Sequence, residues 1–285
     1  MTRYLVTGAA GQLGRLVLAD LISKVPAVDI VALVRRPDAA ADLAKLGVET
    51  RIASYEDPAA LAAAFAGIDR LLLISSSEVG QRAPQHQNVI DAAKAAGVGF
   101  IAYTSILKAD SSPLALAAEH KATEEALAAS GLAHAFLRNG WYTENFTAAL
   151  AQDLELGQHF GAAGSGKFAA APRADYAEAA AAVLAGAGHE GKTYELGGDT
   201  AFTLTEFAGA VSELSGKPVV YVDMPEQVFA DALKGAGLPG PFAEILANSD
   251  AKAAEGWLDT PSTDLATLIG HPTTPLAEVL KAALA

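Results

Sequence analysis

The sequence predicts an α/β fold, in which a doubly wound parallel sheet of the Rossmann type is followed by a smaller mixed α/β domain. A glycine-rich turn joins the first apolar run to a helical pattern, and strand-like and helix-like segments then alternate until the alternation weakens after Phe146. Such alternation is typical of a parallel sheet covered by helices on both faces. We expect a first domain at residues 1–146, to which a helix and a strand near residues 174–197 return, and a smaller second domain at 147–285.

A glycine pattern, Gly8-x-x-Gly11-x-x-Gly14, connects the first predicted strand to the first helix. Gly8 lets the chain leave the strand, Gly11 lets a phosphate approach the backbone, and Gly14 lets the helix lie against the sheet. Amides at the start of the helix, together with the helix dipole, attract an anion. The pattern therefore predicts a site for the pyrophosphate of a dinucleotide, with a tight turn that binds nothing as the alternative.

Two arginines follow the second predicted strand, Asp29 to Val34. A chain that prefers NAD usually carries Asp or Glu about 20 residues after the glycine pattern, whereas the 2′-phosphate of NADP requires a cation. Here Arg35 stands 21 residues after Gly14, Arg36 follows it, and the nearest acid is Asp38. The formal net charge of -13 would otherwise repel a phosphate. We predict NADPH as the cofactor and Arg35 as the contact of its 2′-phosphate; two solvated arginines at a strand end are the alternative.

Composition limits the class of protein. With 285 residues, 51% of them hydrophobic and 19% charged, the chain can bury a substantial core. The chain contains no apolar run of about 18 residues, so no membrane-spanning helix is predicted. The first residues lead directly into a strand, so we expect no secretory signal. The absence of cysteine excludes thiolate nucleophiles and disulfides. The low pI argues against nucleic acid or an anionic membrane as a partner. We expect a cytoplasmic enzyme and leave its oligomeric state open, a homo-oligomer included.

Two further strand ends carry candidate binding groups. The third predicted strand ends at Ser54 and Tyr55, which either contact an adenine or simply precede a helix capped by Asp57. Small hydroxyl side chains at the end of a central strand leave room for a ribose and bind it. The fourth strand is followed by Ser75, Ser76 and Ser77. We predict that these serines bind a ribose, and an ordinary serine loop is the alternative.

A loop rich in aromatic residues and asparagines follows the sixth predicted strand. It extends from Arg138 to Phe146 and lies at the mouth of the predicted sheet, where ligands bind in open α/β folds. We predict that it forms a wall for nicotinamide and substrate. The helix before this strand is predicted for Pro113 to Ala129, and an earlier helix is predicted to end at Gly97.

The second half shows weaker patterns. Residues 157–166 are rich in glycine and are predicted as a loop. The other predictions are a helix opened by Arg173–Tyr176, strands at Thr193–Leu196 and Val219–Val222, a capping box at Thr203–Glu206, and helices at Pro225–Ala236, Pro241–Ala247 and Pro275–Leu284.

No metal or hydrolase site is predicted. The six histidines lack the spacing of metal ligands, and no Gly-x-Ser-x-Gly segment is present. We interpret the histidines as structural or surface residues, and we place Glu119 and His120 on a solvated helix face. The six are His86, His120, His134, His159, His189 and His271.

Several motifs together resemble a known family. The glycine loop, Arg35 and the loop from Arg138 to Asn145 look like the NmrA-like branch of the atypical short-chain dehydrogenases. The run from Leu71 to His86, with Arg173–Tyr176 and Ile269–Thr274, more narrowly resembles the bacterial type-2 NAD(P)H:quinone oxidoreductases. The glycine loop is shared across the superfamily, whereas the Leu71 to His86 run is specific to the subgroup. The likeness extends over nearly the whole chain.

The resemblance implies direct hydride transfer from NADPH to a quinone without a flavin. The usual short-chain dehydrogenases place a Tyr four residues before a Lys to protonate a carbonyl. Here Ala117 stands four residues before Lys121, so a carbonyl reductase or sugar epimerase of the usual mechanism is not expected. The NADP contacts that the resemblance implies are Gly8, Ala9, Ala10, Gly11, Gln12, Leu13, Arg35, Ser75, Ser76, Ser77, Asn139, Gly140, Trp141, Tyr142, Thr143 and Glu144.

A quinone needs no strong general acid, because the developing negative charge spreads over a ring that becomes aromatic and water can protonate the product. Positioning of a planar quinone-like substrate then carries most of the catalysis. Tyr142 and Asn145 are the candidates to contact a quinone oxygen, with Tyr142 as a core or rim aromatic the alternative. No catalytic residue is assigned. Two other functions remain open: a redox-sensing protein that binds NADP(H) without turnover, and a reductase of another conjugated acceptor such as a triphenylmethane or azo dye.

Overall fold

The computed structural model describes all 285 residues, which divide into two compact units. The first unit comprises residues 1–109, 119–139 and 173–194, and the second comprises 110–118, 140–172 and 195–285. Residues 140–146 therefore group with the second unit by their contacts, whereas the functional limit after residue 146 stays a prediction.

The chain contains eleven strands and thirteen α-helices, which alternate as far as β6, with one 3-10 turn at Ala27–Asp29. The strands are β1 (Tyr4–Val6), β2 (Ile30–Val34), β3 (Glu49–Ile52), β4 (Arg70–Leu73), β5 (Phe100–Ile106), β6 (His134–Asn139), β7 (Gln158–Gly161), β8 (Lys167–Phe168), β9 (Thr193–Leu196), β10 (Phe202–Thr203) and β11 (Val220–Asp223). The helices are α1 (Gln12–Lys24), α2 (Pro37–Ala44), α3 (Pro58–Ala64), α4 (Arg82–Ala96), α5 (Ala117–Ser130), α6 (Thr143–Thr147), α7 (Leu150–Leu156), α8 (Arg173–Ala185), α9 (Leu204–Ser215), α10 (Glu226–Gly235), α11 (Gly240–Ala254), α12 (Asp264–Ile269) and α13 (Leu276–Leu284).

The main sheet has seven strands in the order β3-β2-β1-β4-β5-β6-β9. In this spatial order, each strand from β3 across to β6 is parallel to its neighbour. The strand order reverses at β1, since β2 and β4 lie on its two sides. This reversal is the topological switch point at which open α/β sheets bind ligands. The predicted doubly wound sheet is confirmed.

The first unit has its core on this sheet. Leu5, Val31, Leu71 and Ile101 come from four adjacent strands and are fully buried, in one cluster that also includes Tyr103. These strands read as nearly continuous apolar runs because helices cover both faces of a parallel sheet.

The second unit contains two small sheets, a parallel pair of β7 with β11 and an antiparallel pair of β8 with β10. Four phenylalanine rings pack together, with the ring of Phe146 contacting those of Phe168, Phe202 and Phe207 at centroid distances of 5.0, 5.4 and 5.6 Å. The predicted capping box at the start of α9 is confirmed, because Thr203 and Glu206 exchange both bonds. None of the helices in the chain has the length and hydropathy needed to cross a bilayer.

Some predicted elements were wrong. The glycine-rich segment 157–166 is not all loop, because Gln158–Gly161 pairs with Val220–Asp223, and no local pattern announces a partner so distant in sequence. The helix predicted from Pro113 begins only at Ala117. Ser112 Oγ accepts from the amide of Leu114 at 3.3 Å, a local turn that competes with helix formation.

Candidate functional site

The loop after β1 presents helix amides without a capping side chain. Gly11 is the N-cap of α1, no side chain bonds to the first turn, and no acidic residue lies in it. The first amides of a helix have no partner within the helix, so those of α1 are available to an anion. This arrangement fits a pyrophosphate.

Glycine is required at two positions of this loop. Gly8 has φ +57, a conformation that other residues rarely adopt. A Cβ on Gly14 would lie 2.3 Å from the carbonyl oxygen of Gly8 and 2.8 Å from Cα of Ala9. The helix start therefore packs on the loop as the glycine pattern predicts.

A hydroxyl network joins the carboxyl ends of the central strands. Thr7 Oγ1, after β1, accepts from the amide of Ile74 at 2.9 Å and from the hydroxyl of Tyr55. Thr104 Oγ1, on β5, accepts from the amide of Ser75 at 2.9 Å. Burial raises the pKa of Tyr55 above its usual value, so this hydroxyl stays protonated. The network fixes where the loop after β4 begins.

Tyr55 thus directs its hydroxyl at strand ends, and its contact with adenine stays a prediction. The alternative for this segment is present as well, since Asp57 caps α3 by accepting from the amide of Ala60 at 2.9 Å.

Arg35 lies exposed directly after β2, and it is paired. Its Nη1 contacts Glu78 Oε1 at 2.5 Å. Gln85 Nε2 donates to the other oxygen of Glu78 at 2.8 Å. The hydrogen bond from Gln85 and, to a smaller extent, the bond from Arg35 hold the pKa of Glu78 below its usual value. Sequence reasoning missed Glu78; the only signal was an acid close behind the predicted serine loop.

The serine loop is held by buried side chains. Ser76 is buried, its amide donates to His86 Nε2 at 2.9 Å, and its carbonyl accepts from Arg82 Nε. Ser75 is partly exposed and Ser77 is exposed. The loop therefore offers two serine side chains to a ligand from a fixed backbone.

His86 is a hydrogen-bond acceptor on one side and a donor on the other. Because Nε2 accepts from Ser76, the proton lies on Nδ1, which is 2.9 Å from Thr123 Oγ1. Burial, followed by the charge of Arg82, lowers the pKa of His86 to about 3. The neutral imidazole thus matches its two partners.

The prediction of a solvated face for Glu119 and His120 was wrong. His120 is buried, and its Nδ1 lies 2.8 Å from the hydroxyl of Tyr103. Burial, then the charge of Arg82, lowers the pKa of His120 well below its usual value. Glu119 accepts from the amides of Gly80 and Arg82 at 3.0 and 3.1 Å and so caps α4. Polar and apolar residues do not separate clearly along α5, so the sequence gives no sign that His120 faces the interior.

A buried ion pair precedes the aromatic loop. Arg138, on β6, binds both oxygens of Glu124, on α5, at 3.0 and 2.7 Å. Ser105 Oγ donates to the same carboxylate at 2.6 Å. The last residue of β6, Asn139, is buried, and its carbonyl accepts from the amide of Leu107 at 3.0 Å.

The rest of the aromatic loop belongs to the second unit. Tyr142 forms a β-bridge with Ala171, whose carbonyl accepts from the amide of Thr143 at 3.0 Å. Gly140, Trp141 and Thr143 are buried, whereas Tyr142, Glu144 and Asn145 are partly exposed. The bridge anchors the segment that opens α6.

The predicted cofactor residues of the first unit meet at one edge of the sheet. The loops after β1, β2 and β4 emerge from neighbouring strands, and they carry Gly8–Leu13, Arg35 and Ser75–Ser77. Asn139 ends β6, beyond β5 at the same edge. No group of three or more His, Asp or Glu side chains is arranged to hold a metal ion.

Known proteins resemble this chain closely. A family model described as NAD(P)H-binding matches residues 8–186. The chain is 58% identical to quinone oxidoreductase 2 of Escherichia coli strain K12 over 96% of each chain. The crystal structure of an NADPH-dependent quinone oxidoreductase from Escherichia coli, complexed with NADPH, has a TM-score of 0.97 at 56% identity, covering 99% of this chain and 100% of that one. The Citrobacter sp. triphenylmethane reductase complexed with NADP(H) has a TM-score of 0.94 at 42% identity, covering 99% and 100%.

Proposed function

We propose that this chain, which belongs to the NAD(P)H-binding family, uses NADPH to reduce quinones by direct hydride transfer. The family resemblance read from the sequence is confirmed, and the chain is an oxidoreductase of the quinone oxidoreductase 2 type. The assignment of individual residues to cofactor and substrate is part of the proposal, as is a cytoplasmic location.

One observation carries the assignment of the cofactor. The uncapped start of α1 and the guanidinium of Arg35 lie after adjacent strands, at the switch point of the sheet. A pyrophosphate fits the first group and a 2′-phosphate fits the second. No acid follows β2 directly to accept from the ribose of NAD, which supports NADPH.

NADPH supplies the hydride when it is bound. The chain's own groups would hold it: the amides of Gln12 and Leu13 would receive the pyrophosphate, Arg35 the 2′-phosphate, and Ser75 and Ser77 the ribose. Fixing two reactants in near-attack geometry is worth up to about 7–11 kcal/mol of the barrier. This positioning is the main contribution that we assign to the protein.

Tyr142 and Asn145 have partly exposed side chains. We assign them to the planar acceptor, where a hydroxyl and an amide orient a quinone oxygen. Position 117 holds Ala, so no phenol is available at the usual place of the proton donor. A quinone tolerates this because water protonates the delocalised product, whereas a simple ketone does not.

A second class of acceptor has support of its own. The likeness to the Citrobacter triphenylmethane reductase suggests that triphenylmethane dyes are also reduced. Such dyes are conjugated cations, and addition of hydride neutralises them without any proton. The same positioning chemistry serves both acceptors.

Steady-state oxidation of NADPH and NADH, with benzoquinone, naphthoquinone and a triphenylmethane dye as acceptors, tests the function. Flavin-free protein is expected to oxidise NADPH with quinones. In Arg35→Ala, the transition-state stabilisation derived from kcat/KM for NADPH is expected to fall by about 1–3 kcal/mol, since a charge-assisted contact is lost. The value for NADH is expected to change little. Absence of turnover with every acceptor, despite tight binding of NADPH, would favour the redox-sensing function. Equal losses with both cofactors would remove Arg35 from its assigned role.

A further inference from the structure

An ion pair spans the end of the central strand. Arg35 follows β2 and Glu78 lies in the loop after β4, while β1 lies between these two strands in the sheet. Arg35 Nη1 and Glu78 Oε1 are 2.5 Å apart, although the two residues are separated by 43 positions in sequence. The pair therefore connects the two sides of the strand end from which the Gly8–Gly14 loop emerges.

We propose that Glu78 is a specificity-determining residue, which pairs with Arg35 and is displaced from it by the 2′-phosphate of NADPH. This inference rests on the proposed function, in which Arg35 receives that phosphate. Glu78 acts through Arg35 and contacts neither reacting atom, so it is a positioning residue.

The carboxylate of Glu78 is held in place independently of Arg35. Gln85, which is only 5% exposed, donates to Glu78 Oε2 at 2.8 Å, and the amide of Glu78 donates to Ser76 Oγ at 3.2 Å. These bonds keep the carboxylate near Arg35 when the ion pair opens. Because Gln85 and Arg35 also lower the pKa of Glu78, the carboxylate is charged at neutral pH and repels a phosphate.

The relative strengths of two contacts decide which anion holds Arg35. The side chains of Arg35 and Glu78 are 66% and 40% exposed, and solvent-exposed ion pairs contribute little to stability. A 2′-phosphate carries more charge than a carboxylate and binds a guanidinium through two oxygens. It therefore displaces Glu78, whereas the 2′-hydroxyl of NADH does not. Glu78 then competes only with NADPH, and it returns to Arg35 when NADP is released.

Titration calorimetry with the adenosine end of the cofactor isolates this competition from chemistry at the nicotinamide. The probes are 2′,5′-ADP, which carries the 2′-phosphate, and 5′-AMP, which lacks it. Glu78→Gln is expected to bind 2′,5′-ADP about two- to fivefold more tightly than the wild type, which corresponds to loss of a surface ion pair. Its affinity for 5′-AMP is expected to change less than twofold.

Asp38→Asn is the matched control. Asp38 pairs with the neighbouring Arg36 at 3.4 Å, so this variant removes one negative charge from the same region without breaking the Arg35 pair. Its affinity for 2′,5′-ADP is expected to stay within twofold of the wild type. Equal or weaker binding of 2′,5′-ADP by Glu78→Gln overturns the inference, and so does equal tightening in Asp38→Asn, which would reflect net charge alone.

Arg35→Ala separates this inference from the proposed function. If Arg35→Ala still prefers 2′,5′-ADP over 5′-AMP, the assignment of Arg35 fails and the inference fails with it. If Arg35→Ala loses the preference but Glu78→Gln gains no affinity, only the inference fails. Support requires both the loss in Arg35→Ala and the gain in Glu78→Gln, and the gain must disappear when Glu78→Gln is combined with Arg35→Ala.

Discussion

The amide of Ser76 donates to Nε2 of His86, at 2.9 Å, inside the first unit. This bond ties the loop after β4, which carries three predicted cofactor residues, to the buried face of α4. Nδ1 of the same ring donates to Oγ1 of Thr123 on α5. One neutral imidazole thus connects a loop and two helices, which makes the predicted ribose site sensitive to a side chain that does not line it.

Replacement of His86 tests this connection. His86→Leu leaves the amide of Ser76 buried without its acceptor, at an expected cost of about 1–3 kcal/mol in the free energy of unfolding. His86→Gln retains an acceptor on a side chain of similar reach, so a smaller loss is expected. Urea unfolding of both variants measures the difference. A His86→Leu protein as stable as the wild type would show that the bond contributes nothing.

Stability is expected to decrease below neutral pH because His86 and His120 are neutral in the folded state. The pKa of His86 is lowered from 6.5 to about 3, so between these values the unfolded chain binds a proton that the folded chain does not. The contribution is complete above pH 6.5 and is lost as pH falls. For His86 alone the loss between pH 6 and pH 5 is about 1 kcal/mol.

Asp250 has the opposite effect over part of this range. Burial raises its pKa from 3.8 to about 6, so the folded state binds the extra proton there and its contribution decreases as pH rises. Comparison of variants separates the two groups. In His86→Gln, the change in the free energy of unfolding between pH 6 and pH 5, measured with urea, should be smaller than in the wild type by about 1 kcal/mol. Identical changes would contradict the neutral state of His86.

Gly14→Ala is expected to destabilise the protein and to weaken binding of NADPH. The new Cβ would lie 2.3 Å from the carbonyl oxygen of Gly8, and backbone atoms cannot yield as a side-chain tip can. Overpacking of this kind costs about 1–3 kcal/mol. Calorimetry with NADPH and thermal unfolding measure both effects.

Gly209→Ala is the control for that substitution. Gly209 lies within α9 and a Cβ there meets no atom within 4 Å. Alanine is favoured over glycine in a helix by about 0.5–1 kcal/mol, so a small gain in stability is expected and NADPH binding should not change. Similar behaviour of the two variants would argue against close packing at Gly14.

The buried pair of Glu124 and Arg138 should be costly to break from one side. Glu124→Gln removes the carboxylate that binds the guanidinium through two oxygens and also receives Ser105, at an expected cost of about 3–5 kcal/mol. The double variant Glu124→Met with Arg138→Met should lose less than the sum of its single variants, because no charge is left buried. Additive losses, measured by urea unfolding, would indicate that the two side chains are not coupled.

The doubly wound sheet and the glycine loop could be predicted from the sequence because their signals are local. Apolar runs, glycine spacing and the arginines after β2 lie within short segments whose conformation depends on neighbouring residues. The same holds for the Thr203–Glu206 capping box and for Gly97, which ends α4. The run from Leu71 to His86 then indicated the quinone oxidoreductase subgroup within the larger family.

Other features were decided by the tertiary structure alone. Nothing in the sequence pairs Arg35 with Glu78, His86 with Ser76, or Glu124 with Arg138, because these contacts arise where separate strands and helices are brought together by the sheet. The pairing of β7 with β11 has the same origin. The sequence by itself determined the class of fold, the family and the kind of cofactor, since each depends on short motifs. The buried partners that hold the binding loops were decided by long-range packing, which local periodicity does not encode.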